Sequence, residues 1–200
     1  MRRSCVIDTS TLVNLTVLYE LRIFSLLRNL FDKIHIPLTV QSEYDHYIKP
    51  DPKRKAIMAG IRLNEGFLAL CSQYDSITYA LLKTKRGIDP GEADVAAQHK
   101  SVNSHYILSD DIRFINSIAK IDSHTKIIGT THLIAWLDLG KFILERDRDN
   151  LLRTLHSHSP VDSHGLRRAY QSVASEFSLT MTKKELNRKS SVKRLGLGRR

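Results

Sequence analysis

The chain has few of the residues that build disulfide frameworks, zinc sites or membrane spans. Only two of its 200 residues are cysteines, Cys5 and Cys71, and both lie in apolar runs. They provide neither a disulfide framework nor the ligand spacing of a zinc site, and they suit a reducing compartment. No apolar stretch reaches the roughly 18 residues of a membrane helix. We therefore expect a cytoplasmic protein with no membrane partner.

Two common kinds of ligand site are also missing from the sequence. Gly129-Thr130-Thr131 lacks the lysine and the spacing of a phosphate-binding loop. His156, His158 and His164 are accompanied by neither a cysteine nor a matched histidine pair, so a zinc site is not expected there.

The sequence does contain an alternation of short apolar runs and helical patterns. The apolar runs that predict strands cover residues 5–7, 34–36, 67–71, 106–109 and 126–129, with helical patterns between them. Strands that alternate with helices are typical of a parallel sheet covered on both faces. We therefore predict an α/β fold with a central parallel sheet of four or five strands, in a chain long enough for one such domain and a remainder.

Acidic residues stand where two of these strands end. Cys5-Val6-Ile7 is followed by Asp8, and Tyr106-Ile107-Leu108 is followed by Ser109, Asp110 and Asp111. Ligands of open parallel sheets bind in the crevice beyond the carboxyl ends of the strands. Asp8 or Ser10 could instead simply cap the next helix. Of the adjacent pair, we expect one to cap and the other to face the crevice, with Asp111 the ligand and Asp110 its neighbour.

Two more acids lie at the start of a predicted helix. Asp89-Pro90-Gly91-Glu92 has the order of a capped helix start, which gives Glu92 a sufficient role in a capping box. Asp94 has no evident capping role. It lies beside a stripe of small residues that lets a helix approach a sheet closely, formed by Ala93, Ala96 and Ala97.

A fifth acid, Glu43, follows the second predicted strand. Taken alone, a glutamate in an early helical turn is usually a surface residue that complements the helix dipole. Carboxylates that converge in a partly buried pocket, however, need a cation to remain ionised. The scattered acidic signatures together indicate a divalent metal site, for magnesium or manganese.

In order and spacing, CVIDTST, TVQSEYDHY, DPGEADVAAQH and ILSDDIRF together resemble the PIN domain, a metal-dependent nuclease fold, in a branch with a GEA-type third motif. The resemblance covers roughly residues 4–140. It implies a three-layer α/β sandwich and hydrolysis of single-stranded RNA with Mg²⁺ or Mn²⁺. Carried over by position, the metal ligands and catalytic acids are Asp8, Glu43, Asp94 and Asp111, with Ser10, Glu92 and Asp110 as auxiliaries.

The resemblance leaves several biological roles open. Such a ribonuclease could be the toxin of a toxin–antitoxin pair, with an antitoxin or another protein as partner, or an RNA-processing or defence nuclease, and a homodimer is conceivable. An alternative of another class is a catalytically inactive PIN-like module that binds nucleic acid or protein. Retention of all four matched acids argues against that alternative.

The C-terminal part of the chain differs from the rest in charge. The net charge is +10, and eight of those charges fall in residues 151–200. We expect a nuclease domain over residues 1–140, a helical extension over 141–182 and a mobile basic tail over 183–200. Such a tail is either only solvated or supplies affinity for RNA without taking part in catalysis.

Overall fold

The computed structural model describes residues 3–47, 51–62, 66–179, 181–192 and 195. The chain divides into two compact units. The first comprises Met1–Thr16 and Phe31–Gly129, and the second comprises Val17–Leu30 and Thr130–Arg200. No helix in the described part of the chain is both long and apolar enough to cross a membrane.

The first unit is built on a sheet of five parallel strands. In chain order these are β1 (Ser4–Ile7), β2 (Lys33–Pro37), β3 (Leu68–Cys71), β4 (Tyr106–Leu108) and β5 (Ile127–Ile128). They are arranged as β3-β2-β1-β4-β5, and every neighbouring pair is parallel. The chain first adds strands on one side of β1 and then crosses to the other, so the topological switch point lies between β1 and β4. The predicted parallel α/β sheet is confirmed.

Helices connect the strands and continue beyond the sheet. In chain order they are α1 (Thr9–Val17), α2 (Ile23–Leu27), α3 (Leu38–Tyr47), α4 (Pro52–Arg62), α5 (Ser76–Lys83), α6 (Pro90–Ser101), α7 (Ile112–Ile121), α8 (Thr130–Leu139), α9 (Glu145–His158), α10 (Ser163–Glu176) and α11 (Lys183–Ser190). The helical patterns predicted over residues 12–31 are divided into α1, a 3₁₀ turn and α2. Arg22 has a φ of 57°, and a left-handed residue interrupts a helix.

The middle of the sheet is fully apolar. Cys5, Val6 and Ile7 of β1 have no exposed surface, as expected for a central strand that helices cover on both faces. Helix α6 packs against β1, β2 and β4. Its small residues Ala93 and Ala97 are completely buried, which confirms that the alanine stripe brings this helix close to the sheet.

In the second unit, α8 packs against α9 and α10, and α10 packs against α11. A buried polar cluster joins these helices around Asp138. Its Oδ2 accepts hydrogen bonds from Tyr170 Oη and Lys189 Nζ, both at 2.6 Å, and lies 3.5 Å from an Arg148 nitrogen. Burial, together with the Asp138 carboxylate, raises the pKa of the Tyr170 hydroxyl, which therefore stays protonated and donates.

The C-terminal segment differs from the mobile tail that the sequence predicted. Residues Lys183–Ser190 form α11, which begins with a capping box between Thr182 and Glu185. Leu186 is buried, so the helix has an apolar anchor, and Lys189 reaches Asp138. Leu195 further along the segment is buried as well, and the many charges of the sequence around these two leucines masked both anchors. Residues 193, 194 and 196–200 lie outside the described residues.

Candidate active site

Asp8 lies at the end of the central strand, between the ends of β1 and β4. Its backbone N–H donates to the carbonyl of Leu108 at 2.8 Å, which extends the strand pairing by one residue. The carboxylate is only 8 % exposed, and it accepts hydrogen bonds from Ser10 Oγ at 2.7 Å, Ser109 Oγ at 2.8 Å and the Thr9 N–H at 2.7 Å. Burial raises the pKa of Asp8, the three hydrogen bonds oppose this increase, and the charge of Asp111 adds to it.

The two serines connect Asp8 to the segment after β4. Ser10 Oγ accepts the backbone N–H of Asp110 at 3.1 Å, and Ser109 Oγ accepts that of Asp111 at 3.1 Å. Each hydroxyl thus donates to Asp8 and accepts from the facing loop. Sequence reasoning identified Ser10 but missed Ser109. The signal that could have identified Ser109 was its position in the sequence, directly between a predicted strand and two acids.

Glu43 reaches the site from the second turn of α3. Its Oε2 accepts a hydrogen bond from the hydroxyl of Thr9, the residue after Asp8. Burial raises the pKa of Glu43, the Thr9 bond lowers it, and the charges of Asp89, Asp8 and Asp94 raise it further. Glu43, which the sequence alone supported least as a metal ligand, therefore lies close to the other acids. The role of Thr9 was not predicted.

Asp94 lies on the buried side of α6 and is 6 % exposed. Its Oδ2 accepts from Thr39 Oγ1 at 2.6 Å and its Oδ1 from Gln98 Nε2 at 3.1 Å. The other end of Gln98 is unusual, because the buried Oε1 has no hydrogen-bond partner within the described ranges. Asp94 is thus oriented by α3 and by its own helix.

Glu92 has the capping role that the sequence indicated and is also close to the other acids. Its Oε2 accepts the N–H of Asp89 at 2.9 Å, while Asp89 Oδ1 accepts the N–H of Glu92 at 2.8 Å. Burial raises the pKa of Glu92 to about 7, and the charges of Asp89, Asp111 and Asp8 contribute. Capping and proximity to the acidic cluster are combined in one residue.

The structure corrects the expected division of roles between Asp110 and Asp111. Asp111 itself caps α7, because its Oδ1 accepts the N–H of Arg113 at 2.7 Å and of Phe114 at 3.3 Å. It also lines an open cleft of about 580 Å³ together with Asp89 and Glu92. One residue can do both because the N-terminus of α7 opens on the cleft.

Asp110 faces α1. Its Oδ2 accepts from Thr11 Oγ1 at 3.1 Å and from Asn14 Nδ2 at 2.9 Å. A β-carbon at Gly129 would overlap with the other carboxylate oxygen of Asp110, so the glycine makes room for this side chain. These contacts attach the loop after β4 to the helix that follows Asp8.

A family model for the PIN domain matches residues 4–174. The chain belongs to the PIN domain family. Members of this family are generally metal-dependent nucleases. The match includes α9 and most of α10, which the sequence analysis had assigned to an extension beginning at residue 141. No curated protein and no solved structure matches the chain.

The acids of this PIN domain fit a divalent cation by their chemistry. All are carboxylates, the ligands that Mg²⁺ and Mn²⁺ prefer. Within the described residues, no lysine or arginine lies within ion-pair distance of the four most central acids, Asp8, Glu43, Glu92 and Asp94. Their partners are neutral hydroxyls, amides and backbone N–H groups. No three acidic, histidine or cysteine side chains in that part of the chain are already grouped to hold an ion.

Proposed function

We propose that the chain is an endoribonuclease that uses Mg²⁺ or Mn²⁺ to hydrolyse phosphodiester bonds of single-stranded RNA. One observation carries the proposal. Carboxylates from four separate segments lie close enough, near the switch point of the strand order, for their charges to raise one another's pKa, and neutral donors hold the most buried of them. Such a set of like charges in a partly buried position is unfavourable without a cation.

Asp8, Glu43, Asp94 and Asp111 are the proposed ligands, with Glu92 beside them. When bound, a divalent ion lowers the pKa of a coordinated water and offsets charge on the leaving oxygen. The chain's own contribution is orientation. Ser10 and Ser109 fix the Asp8 carboxylate, and Thr9 fixes that of Glu43.

Further donors act on the remaining acids. Thr39 and Gln98 hold the two oxygens of Asp94, and the first N–H groups of α7 hold one oxygen of Asp111. Among the residues that the structure describes, the second oxygen of Asp111 accepts no hydrogen bond and has a long contact of 3.9 Å with Arg113. Asp111 therefore has an oxygen available to the cleft that it lines.

RNA is proposed as the substrate on the strength of family membership and the net charge of +10. A basic protein gains affinity for a polyanion because lysines and arginines displace the condensed counterions. An antitoxin, another protein partner and a homodimer remain predictions from the sequence.

The test is cleavage of labelled single-stranded RNA by the purified protein with Mn²⁺, with Mg²⁺ and with EDTA. We expect cleavage with either metal, none with EDTA and none by Asp8→Asn. The matched control is Asp32→Asn, an exposed acid just before β2, at the opposite end of the strands. Cleavage by Asp8→Asn at the wild-type rate would refute the assignment of the site.

The same variants separate the biological roles. A toxin should arrest a host cell that expresses the wild-type chain, and Asp8→Asn should not. A processing or defence nuclease should cleave RNA in vitro, and its expression should not arrest the growth of the host cell. RNA binding without cleavage under every metal condition would favour the non-catalytic module.

A further inference from the structure

One face of α7 is polar and borders the cleft that Asp89, Glu92 and Asp111 line. The residues that line the cleft from this helix are Arg113, Asn116, Ser117 and Lys120. Their spacing of three, four and seven residues places them on one side of the helix. The opposite side is apolar, with Phe114 and Ile118 buried. The polar face is therefore fixed in place by the core of the first unit.

The lining of the cleft carries charges of both signs. Its acids are Asp89, Glu92 and Asp111, and its cations are Arg113 and Lys120. At about 1.5 Å of rise per residue, the seven positions between these cations cover about 10 Å along the helix. The cations thus form a short basic track that begins next to the proposed metal ligands.

Both cations are available to a ligand. The Arg113 side chain is 91 % exposed, and its contact with Asp111 is long at 3.9 Å, so the pair contributes little. Lys120 and Asn116 are exposed as well, and neither side chain makes a hydrogen bond or ion pair with any other described residue. Three donors therefore face the cleft with no structural role that would occupy them.

We infer that this face of α7 binds the sugar–phosphate backbone of the single strand next to the bond that is cut. The inference rests on the proposed function and deepens it by locating the substrate path. Arg113 and Lys120 would each neutralise a phosphate, and Asn116 would donate to a backbone oxygen. These are positioning residues, since contacts to phosphate fix register and carry no sequence information.

The experiment measures binding without cleavage. Arg113→Gln with Lys120→Gln is introduced into the Asp8→Asn protein, and its affinity for a labelled single-stranded RNA is followed from 50 to 200 mM salt in EDTA. The matched control removes two exposed cations from the amino end of the sheet, by Lys33→Gln with Lys126→Gln.

We expect Arg113→Gln with Lys120→Gln to weaken RNA binding about 25-fold at 0.1 M salt. The dependence of log affinity on log salt should also be shallower by about 1.4, since each contacted phosphate of a single strand contributes about 0.7. The control should change both quantities much less. Equal losses in the two double variants would overturn the inference. An annealed duplex of the same sequence that loses as much affinity would also overturn it.

A second measurement separates this inference from the proposed function. In the cleaving protein, Arg113→Gln with Lys120→Gln should raise KM with little change in kcat, whereas Arg113→Lys with Lys120→Arg should keep the wild-type KM. If the wild-type chain binds RNA through this face of α7 and never cleaves it, the proposed function is wrong and the binding role of α7 is supported. If the chain cleaves RNA and Arg113→Gln with Lys120→Gln leaves KM unchanged, only the binding role of α7 is wrong.

Discussion

The Oε1 atom of Glu43 lies in the space that a side chain at Gly91 would fill. A β-carbon built on Gly91 would overlap with this oxygen and come within 3.4 Å of the Glu43 carboxyl carbon. The absence of a side chain at the second residue of α6 therefore lets an acid from α3 reach the N-terminus of α6. The glycine of the GEA sequence, Gly91, thus leaves the space that the Glu43 carboxylate occupies.

Gly91→Ala should separate stability from activity. Alanine is favoured over glycine in a helix by up to about 1 kcal/mol, and the displaced group is the flexible end of Glu43. We expect an unchanged or slightly higher Tm and at least about a tenfold slower cleavage, equivalent to about 1.4 kcal/mol in the barrier. Thermal unfolding and cleavage rates measured on the same preparation test this.

The control is Gly60→Ala in α4, where a β-carbon would meet no atom within 4 Å. This variant should gain a similar amount of stability and cleave RNA at the wild-type rate. If Gly91→Ala cleaves as fast as Gly60→Ala, the position of Glu43 does not matter for the reaction.

Glu92→Gln and Asp94→Asn should differ in the depth of their defects. A glutamine at position 92 can still accept the N–H of Asp89, so the capping box survives and we expect only a partial loss of cleavage. Asp94→Asn removes a proposed ligand and should abolish cleavage. The rates are compared at saturating Mn²⁺. Equally deep losses would place Glu92 among the ligands.

The metal-free protein should become less stable as the pH rises through neutrality. Burial raises the pKa of Glu92 from 4.5 to about 7. An acid whose pKa is higher in the folded state stabilises the fold below its unfolded pKa and loses that contribution as the pH rises through the folded value. Thermal unfolding in EDTA should therefore show a decline between about pH 5 and pH 8 that Glu92→Gln reduces.

The comparison with Glu92→Gln is needed because histidines act in the opposite direction. Burial lowers the pKa of His35 and of His99, so these residues destabilise the fold as the pH falls. Their contribution is the same in both proteins and cancels in the difference. A wild-type curve parallel to that of Glu92→Gln would contradict the raised pKa.

Lys189 should stabilise the fold, whereas Lys184 should not. Lys189 Nζ lies 2.6 Å from Asp138 Oδ2, and Lys184 is exposed on the first turn of α11. Lys189→Met leaves the 7 % exposed Asp138 with fewer donors and should cost about 1–3 kcal/mol. Lys184→Met should leave stability unchanged and slightly weaken RNA binding. Denaturant unfolding and RNA titration of both variants provide the test.

The elements that sequence reasoning predicted are those fixed by local pattern. Apolar runs identified β1 and β4, and parallel strands necessarily deliver Asp8 and Asp111 to one edge of the sheet. The capping box of α6 was also visible, since it depends on residues three apart. For these features the residues near in sequence determine the outcome.

The remaining features depend on contacts between distant segments. The bond between Ser109 and Asp8 joins residues 101 positions apart, and no spacing rule reveals it. Asp111 both caps α7 and lines the cleft because the N-terminus of α7 borders that cleft. The packing of α11 depends on the buried Leu186 and on the contact between Lys189 and Asp138. Such features follow from packing and could not be predicted from pattern alone.

The two serine hydroxyls have a consequence for the timescale on which the site moves. The amide hydrogens of Asp110 and Asp111 belong to no strand or helix, yet each donates to a hydroxyl that is itself held by Asp8. Amides outside regular structure ordinarily exchange with solvent after small local openings. Here an opening must also break the bonds to a buried carboxylate, so deuterium should enter these two positions as slowly as it enters the central strands.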